Sequence, residues 1–291
     1  MPVDTVADDA RVGVELAGLD NLELAGGTGA RNARRLWSAT WPKVFALAVA
    51  VGGWQLLVAT GWKPRYALAG PDEVWPVLRE QLSDGVITTA LRITMQRAVV
   101  GYALALVIGV AVGMVVSRSR VLRSGVGSLI TGLQTMPSVA WFPLAILLFR
   151  ISEEAILFVV VLGAAPSIAN GLIAGVDNVP PLLDRAGRVL GARGLAAWRH
   201  VRLPAAMPTF IGGLKQGWAF SWRSLMAGEL LVIVPGQASL GFLLQNAREL
   251  NDSAGLLAAM VVVLAVGIAV DALVFGAAER AVHRRWGLAP A

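Results

Sequence analysis

The chain has 291 residues, of which 56% are hydrophobic and only 15% are charged. The apolar residues come in long runs, and about 20 of them in a helix cross a hydrocarbon core of about 30 Å. This composition predicts an all-α integral membrane protein. The net charge of +6 could suggest a nucleic-acid partner, but the arginines are spread over several loops, so no nucleic acid is expected.

The absence of cysteine excludes disulfides, thiolate catalysis and cysteine-based metal sites. The two histidines, His200 and His283, have no second ligand at metal-binding spacing, so we expect no metal.

Residues 1–40 differ in kind from the rest of the chain. They are acidic, contain a Gly-Gly-Thr-Gly stretch and lack the hydrophobic core of a signal peptide. We therefore expect a flexible cytoplasmic N-terminal tail rather than a cleaved leader.

Six later stretches are long and apolar enough to cross a membrane. They define a transmembrane domain over 41–286, followed by a short C-terminal tail over 287–291. The predicted spans are 44–62, 97–117, 125–149, 155–176, 209–234 and 254–278. Between the first two spans, an amphipathic helix over 71–82 is expected along the outer membrane surface.

Proline and glycine mark features of these spans. Pro137 and Pro143 in the third span and Pro166 in the fourth predict kinks. Three Gly-x-x-x-Gly pairs predict close contacts between helices: Gly109/Gly113, Gly171/Gly175 and Gly213/Gly217.

The basic residues of the short loops cluster on one side of the predicted topology. By the positive-inside rule that side is cytoplasmic, which places both termini and the segment 180–204 inside the cell. The usage of Ala, Gly, Val and Arg is typical of a bacterial source, so the expected location is a bacterial inner membrane.

The segment 180–204 lies between the fourth and fifth spans and reads as two short helices. Leu182, Ala186, Val189 and Leu190 form an apolar stripe at helical spacing. Gly191 and Gly194 interrupt the helix, and a second one over 195–201 is expected to end at Leu203-Pro204. From the residues alone, an interfacial helix resting on lipid explains this pattern equally well.

The same segment resembles the cytoplasmic signature of binding-protein-dependent ABC importer permeases. That signature is Glu-Ala-Ala, three residues, Gly, nine residues, Ile, any residue and Leu-Pro. Here the chain reads Arg185-Ala186-Gly187, then Gly191, Val201 and Leu203-Pro204, with every spacing kept. The departure is Arg185 at the glutamate position, with Asp184 one residue earlier.

Other stretches resemble the branch of that family that serves sulfonates, taurine and nitrate. They are GPDEVWPVL from Gly70, MPSVAWFPLAILLF from Met136, WRSLMAGELL from Trp222 and ERAVHRRW from Glu279. The resemblance implies a type I importer permease fold with six transmembrane helices and a cytoplasmic coupling helix between the fourth and fifth. It also implies a second permease copy, cytoplasmic ATP-binding subunits and an extracytoplasmic solute-binding protein, with no cofactor in this chain because ATP is bound by the partner.

The resemblance assigns the coupling segment to contact with an ATPase subunit. A short rigid helix transmits displacement better than a loop does. The residues expected to form this contact and its bracing are Asp184, Arg185, Ala186, Gly187, Leu190, Gly191, Trp198, Val201, Leu203 and Pro204.

Ionisable residues in the fifth span are candidates for the solute pathway, because charges are costly in lipid. Arg223 suits sulfonate or carboxylate oxygens, and Glu229 and Trp222 lie near it in sequence. Met136, Ser138 and Trp141, beside the prolines of the third span, could line a gate. Two structural alternatives stay open: Arg223 could pair with Glu229 or Asp271, and the third-span residues could pack in the core.

Two rival classes of protein are weaker. No phosphate-binding loop or other catalytic motif occurs, so neither ATP hydrolysis by this chain nor a membrane-embedded enzyme is expected. An ion-coupled secondary transporter would need an ion site and usually an inverted repeat, and neither is visible. The predicted function is the permease subunit of an ATP-driven importer for a small anionic solute.

Overall fold

The structure is a computed structural model and describes residues 28–285, which divide into two units. In the first unit, up to Trp62, helix α1 runs from Thr28 to Ala59. Its part Thr40–Ala59 is long and apolar enough to cross a membrane. Of the N-terminal tail predicted over 1–40, residues 1–27 lie outside the described residues, whereas 28–40 are part of α1. The predicted C-terminal tail over 287–291 also lies outside them.

The second unit, from Lys63 onward, is all-helical in the part that the structure describes. Its helices are α2 Pro71–Ser83, α3 Val86–Ser117, α4 Arg120–Thr135, α5 Phe142–Phe149, α6 Glu153–Asp177, α7 Pro181–Val189, α8 Leu203–Leu231, α9 Leu240–Glu249, α10 Ser253–Val270 and α11 Gly276–Arg285. A 3₁₀ turn, Ser138–Trp141, precedes α5, and π-helical turns, Trp198–Arg202 and Asp271–Phe275, precede α8 and α11. The amphipathic helix predicted over 71–82 is confirmed as α2.

Four helical stretches in residues 28–285 are long and apolar enough to span a membrane: Thr40–Ala59, Val86–Ser117, Glu153–Asp177 and Ser253–Arg285. A fifth candidate is the pair Val121–Thr135 and Ser138–Phe149, which is bent by 101°. Helix α8 has the length but is not apolar enough by the same measure. The fold is all-helical with several membrane-spanning helices, and the count of six spans stays a prediction.

The third predicted span is therefore not one kinked helix. Its two halves meet at Met136 and Pro137, which both have extended ψ values, 129° and 132°. A residue before proline is pushed out of the helical region, so α4 ends there and the chain turns sharply. By contrast, α6 continues as one helix through Pro166.

Helix α6 is the centre of the second unit. It packs chiefly against α8 and α3, and its residues Ile156, Val159, Ile168 and Leu172 are fully buried. Three apolar clusters along its length join it to these two helices and to α4 and α5.

Glycines allow the backbones of these helices to approach closely. A Cβ atom on Gly171 of α6 would lie 2.5 Å from the Cα of Gly213 of α8. One on Gly109 of α3 would lie 2.7 Å from the carbonyl oxygen of Ala165. Gly113 and Gly217 also face α6 without room for a side chain, so the predicted Gly-x-x-x-Gly contacts are confirmed.

We expect Gly213→Ala to lower the free energy of unfolding by about 1–3 kcal/mol, because overpacking against a backbone atom forces the helices apart. Its neighbour provides a matched control, since a Cβ on Gly212 would meet no atom within 4 Å. Thermal unfolding of both variants in detergent would measure the difference. Equal stability of the two variants would contradict the close contact.

Candidate functional site

A buried ion pair joins α3 to α8. Arg97 of α3 donates to Glu229 of α8, with Nη1 3.0 Å from Oε1. The side chain of Arg97 is 4% exposed and that of Glu229 is 0% exposed. The Nη2 atom of Arg97 also donates to Glu153 of α6 at 3.0 Å and to the side-chain oxygen of Gln237 at 2.8 Å. One guanidinium therefore connects three helices and the loop after α8.

The carboxylate of Glu229 has partners on both oxygens. Thr94 donates its hydroxyl at 3.1 and 2.9 Å, and the backbone N–H of Gly241 donates to Oε2 at 3.1 Å. The backbone N–H of Leu240 in turn donates to the Thr94 hydroxyl at 3.0 Å. Both oxygens of the Glu229 carboxylate therefore accept hydrogen bonds from neighbouring elements. Glu229, which was predicted in the solute pathway, here connects α8 to α3 and α9.

Four of the predicted pathway residues do come together. A cavity of about 260 Å³ at the bend between α4 and α5 is lined by Met136, Ser138, Trp141 and Arg223, among others. The side of this cavity opposite the bend is formed by Leu162 and Gly163 of α6 and Phe220 of α8. Ser138 and Arg223, which are 85 positions apart in sequence, thus line the same cavity.

Polar groups in this cavity differ in how they are held. Gln134 lines it and donates to the hydroxyl of buried Ser167 at 3.0 Å. The guanidinium of Arg223 lies 5.5 Å from the centroid of the Phe220 ring, a cation–π contact. Among the described residues no salt bridge includes Arg223.

Neither of the two ion pairs considered for Arg223, with Glu229 or with Asp271, is present among the described residues. Glu229 pairs with Arg97, and Asp271 lies 3.3 Å from the ammonium of Lys215, which also approaches Glu279 at 3.7 Å. Trp222 is not among the residues lining the cavity, because its ring stacks on Trp218 on another face of α8, at a centroid distance of 6.2 Å.

The coupling segment folds back on itself around two glycines. Helix α7 ends at Val189, and Gly191 and Gly194 have φ values of +83° and +54°, which side chains other than glycine rarely adopt. Gly187 is buried against Val201, since a Cβ there would lie 2.8 Å from Cγ2 of Val201. The segment therefore doubles back and runs into α8.

One expectation for this segment is wrong. Leu203-Pro204 does not end a helix, because Pro204 lies in the first turn of α8, where a missing N–H has no cost. The stretch predicted as a second helix over 195–201 consists of one α-helical turn, Leu195–Ala197, and the π-helical turn Trp198–Arg202. Both lead directly into α8.

The apolar stripe of α7 is exposed. Val189 is 87% exposed and Leu190 is 86% exposed, while Ala186 and Arg185 are also open. Trp198 is half-buried, and Leu203 packs against the central apolar cluster of α3, α6 and α8. Some of the predicted coupling residues are thus exposed, and others pack inside the chain. Arg185, Ala186 and Leu190 belong to the first group, and Gly187, Val201 and Leu203 to the second.

The sequence did not reveal the partners of Arg97 or the pairing within the coupling segment. Arg202 donates from Nε and Nη2 to the two oxygens of Asp184 at 3.1 and 3.0 Å. These hydrogen bonds raise the pKa of Arg202. The sequence signal that could have indicated this pair is the presence of a carboxylate, Asp184, and an arginine, Arg202, near the two ends of one short segment.

Comparison with known proteins places the chain in a family. Residues 101–286 match the family described as the binding-protein-dependent transport system inner membrane component, and the chain belongs to that family. It is a membrane transport subunit of this family rather than an ion-coupled secondary transporter. Solute-binding and ATP-binding partners follow from the membership.

Relatives and solved structures agree with this assignment. The chain is 29% identical over 246 residues to the nitrate import permease protein NrtB of Leptolyngbya laminosa, covering 83% of this chain and 87% of the relative. It is 28% identical over 181 residues to the bicarbonate transport system permease protein CmpB of Synechococcus elongatus, covering 62% and 64%. The fold resembles that of the MetNI methionine ABC transporter in an inward-facing conformation, with a TM-score of 0.57, 20% identity and coverage of 68% of this chain and 95% of that one. The predicted type I importer permease fold is confirmed.

We expect Arg97→Gln to destabilise the protein by about 3–5 kcal/mol, because it leaves the buried Glu229 carboxylate without a nearby cation. Arg65→Gln is the control, since Arg65 pairs with Asp72 and Glu73 on an exposed surface, where ion pairs contribute little. Thermal unfolding in detergent would compare the two. A similar small effect of both substitutions would contradict the structural role of the buried pair.

Proposed function

We propose that the chain forms the membrane pathway of an ATP-driven importer for a small oxyanion, in the class of nitrate, bicarbonate or an aliphatic sulfonate such as taurine. The observation that carries this proposal is Arg223, which lines the cavity at the α4–α5 bend without a carboxylate partner among the described residues. Relatives named for nitrate and bicarbonate transport support the same class of solute.

The chemistry of Arg223 suits these solutes. A guanidinium presents parallel N–H donors in a fixed plane, and nitrate, bicarbonate and sulfonate each offer two or more oxygens on one central atom. Gln134 and Ser138 in the same cavity add neutral polar groups. An arginine left unpaired in a membrane protein is costly, so a function in the pathway explains its presence better than packing does.

The coupling segment supports the ATP-driven part of the proposal. Its apolar stripe points away from the second unit, and its inner face is braced against the start of α8. We infer that cytoplasmic ATP-binding subunits cover the exposed stripe, that both termini are cytoplasmic, and that a second copy of this chain completes the pathway. A solute-binding protein on the outer side would deliver the anion.

Uptake assays on Arg223 variants test the pathway. In proteoliposomes containing the whole transport complex, Arg223→Gln should reduce anion uptake about 10- to 100-fold, because a hydrogen bond to a charged group contributes about 1.5–3 kcal/mol. Arg223→Lys should retain part of the uptake, since it keeps the charge but loses the planar donors.

Arg79→Gln provides the control, because Arg79 is exposed on α2 and outside the cavity. Nitrate, bicarbonate and taurine should each be tested as solutes. If Arg223→Gln transports every one of them at the wild-type rate, Arg223 does not line the pathway.

Cysteine cross-linking tests the partner of the coupling segment. Because the chain has no cysteine, Leu190→Cys introduces a single thiol on the exposed stripe. We expect a bifunctional reagent to link it to the ATP-binding subunit of the same complex, with a yield that changes when ATP is added. Leu250→Cys is the matched control, since Leu250 is 70% exposed at the side predicted to be extracellular. Equal yields at both positions would argue against the assignment.

A further inference from the structure

Asp184 lies on the inner face of α7. It accepts two hydrogen bonds from Arg202, and Gly187, three residues further on, packs against Val201. Residues three apart share a helix face, so one side of α7 packs against the π-helical turn that leads into α8. The only carboxylate of α7 therefore already has a partner within the chain.

Arg185 lies on the outer face. One residue along a helix is a rotation of about 100°, which turns Arg185 away from Asp184 and toward the open side. It is three residues after Leu182 and four before Val189, so all three form one outward row. No ion pair among the residues described includes Arg185, and its side chain is exposed.

The signature of the family has a glutamate where this chain has Arg185. The neighbouring Asp184 does not replace that glutamate, because it lies about 100° around the helix from Arg185 and is bound by Arg202. The sign of the exposed charge at this position is thus reversed.

We propose that the coupling segment docks through Arg185 and its apolar row onto a groove of the ATP-binding subunit that carries a carboxylate at its rim, and that Asp184 only positions the segment. This rests on the proposed function, which supplies the partner. Charge complementarity requires the acid on the partner, and the exposed apolar side chains require the groove.

A protein groove fits the segment better than a lipid surface does. Val189 and Leu190 are neighbours in sequence and point about 100° apart, yet both are more than 85% exposed. Leu195, beyond the glycine turn, is 74% exposed as well. Apolar groups open on more than one side form a protruding tip, whereas a bilayer covers a single face.

The test uses the complete transport complex in nanodiscs of neutral phosphatidylcholine, with solute-stimulated ATP hydrolysis as the readout. Arg185→Glu should reduce stimulation about tenfold or more, and Arg185→Lys should retain most of it. Arg118→Glu, an exposed arginine at the end of α3, should behave as the wild type.

A charge exchange tests the role of Asp184. Asp184→Arg alone should reduce stimulation, and the double variant Asp184→Arg with Arg202→Asp should recover it, because the reversed pair keeps the internal bond. If Asp184 contacted the partner itself, the double variant would stay as impaired as the single one, and the proposal would be overturned.

The remaining outcomes separate this proposal from the function on which it rests. Absence of solute-stimulated hydrolysis in the wild-type complex would reject the proposed function. Normal stimulation in the wild type and in Arg185→Glu would reject the partner carboxylate alone. An effect of Arg185→Glu that appears only when anionic lipid is added would also reject it, since the arginine would then contact the membrane.

Discussion

The architecture depends on the close approach of α6 to the backbones of α3 and α8. In lipid, apolar side chains gain little by leaving one apolar surface for another, so helices associate through tight packing and internal hydrogen bonds. Gly171 and Gly213 provide that packing at one crossing, and Gly109 and Gly113 provide it along α3. A side chain at any of these positions would displace a helix, and the cavity beside α6 would change with it.

The charged residues divide into two groups by their partners. Arg97 and Glu229 are buried and bonded to each other, and both carboxylate oxygens of Glu229 accept further hydrogen bonds, as charged groups in a low-dielectric interior require. Among the described residues the guanidinium of Arg223 has a cation–π contact with Phe220 and no salt bridge, although it lies on the same helix as Glu229. Sequence position alone treats the two as equivalent candidates, and it is the pairing with Arg97 that distinguishes Glu229 from Arg223.

Local patterns predicted much of this fold, and contacts between distant residues decided the rest. Apolar runs predicted the long helices, the amphipathic pattern over 71–82 predicted α2, and Gly-x-x-x-Gly predicted the crossings of α6. The 101° bend was not predicted, because proline signals a kink without fixing its angle. Neither was the bond between Arg97 and Glu229, which are 132 residues apart, since no local periodicity relates them. In the coupling segment, the family spacing predicted which residues form the contact but not which side of the helix they face, and the pair Asp184–Arg202 fixes that side.

The connection between the coupling segment and the cavity gives the proposed function a mechanical basis. The π-helical turn Trp198–Arg202 passes into α8 without a loop, and α8 continues as one helix from Leu203 to Leu231. Arg223 lies twenty residues along it, about 30 Å from its start. Asp184 fastens α7 to that turn through Arg202, so we expect a displacement of the tip to move the start of α8 with it. At the other end of α8, Glu229 connects the helix to α3 and α9. Under the proposed function, motion imposed by an ATP-driven partner would reach Arg223 through α8, and the cavity at the bend between α4 and α5 would change shape with it.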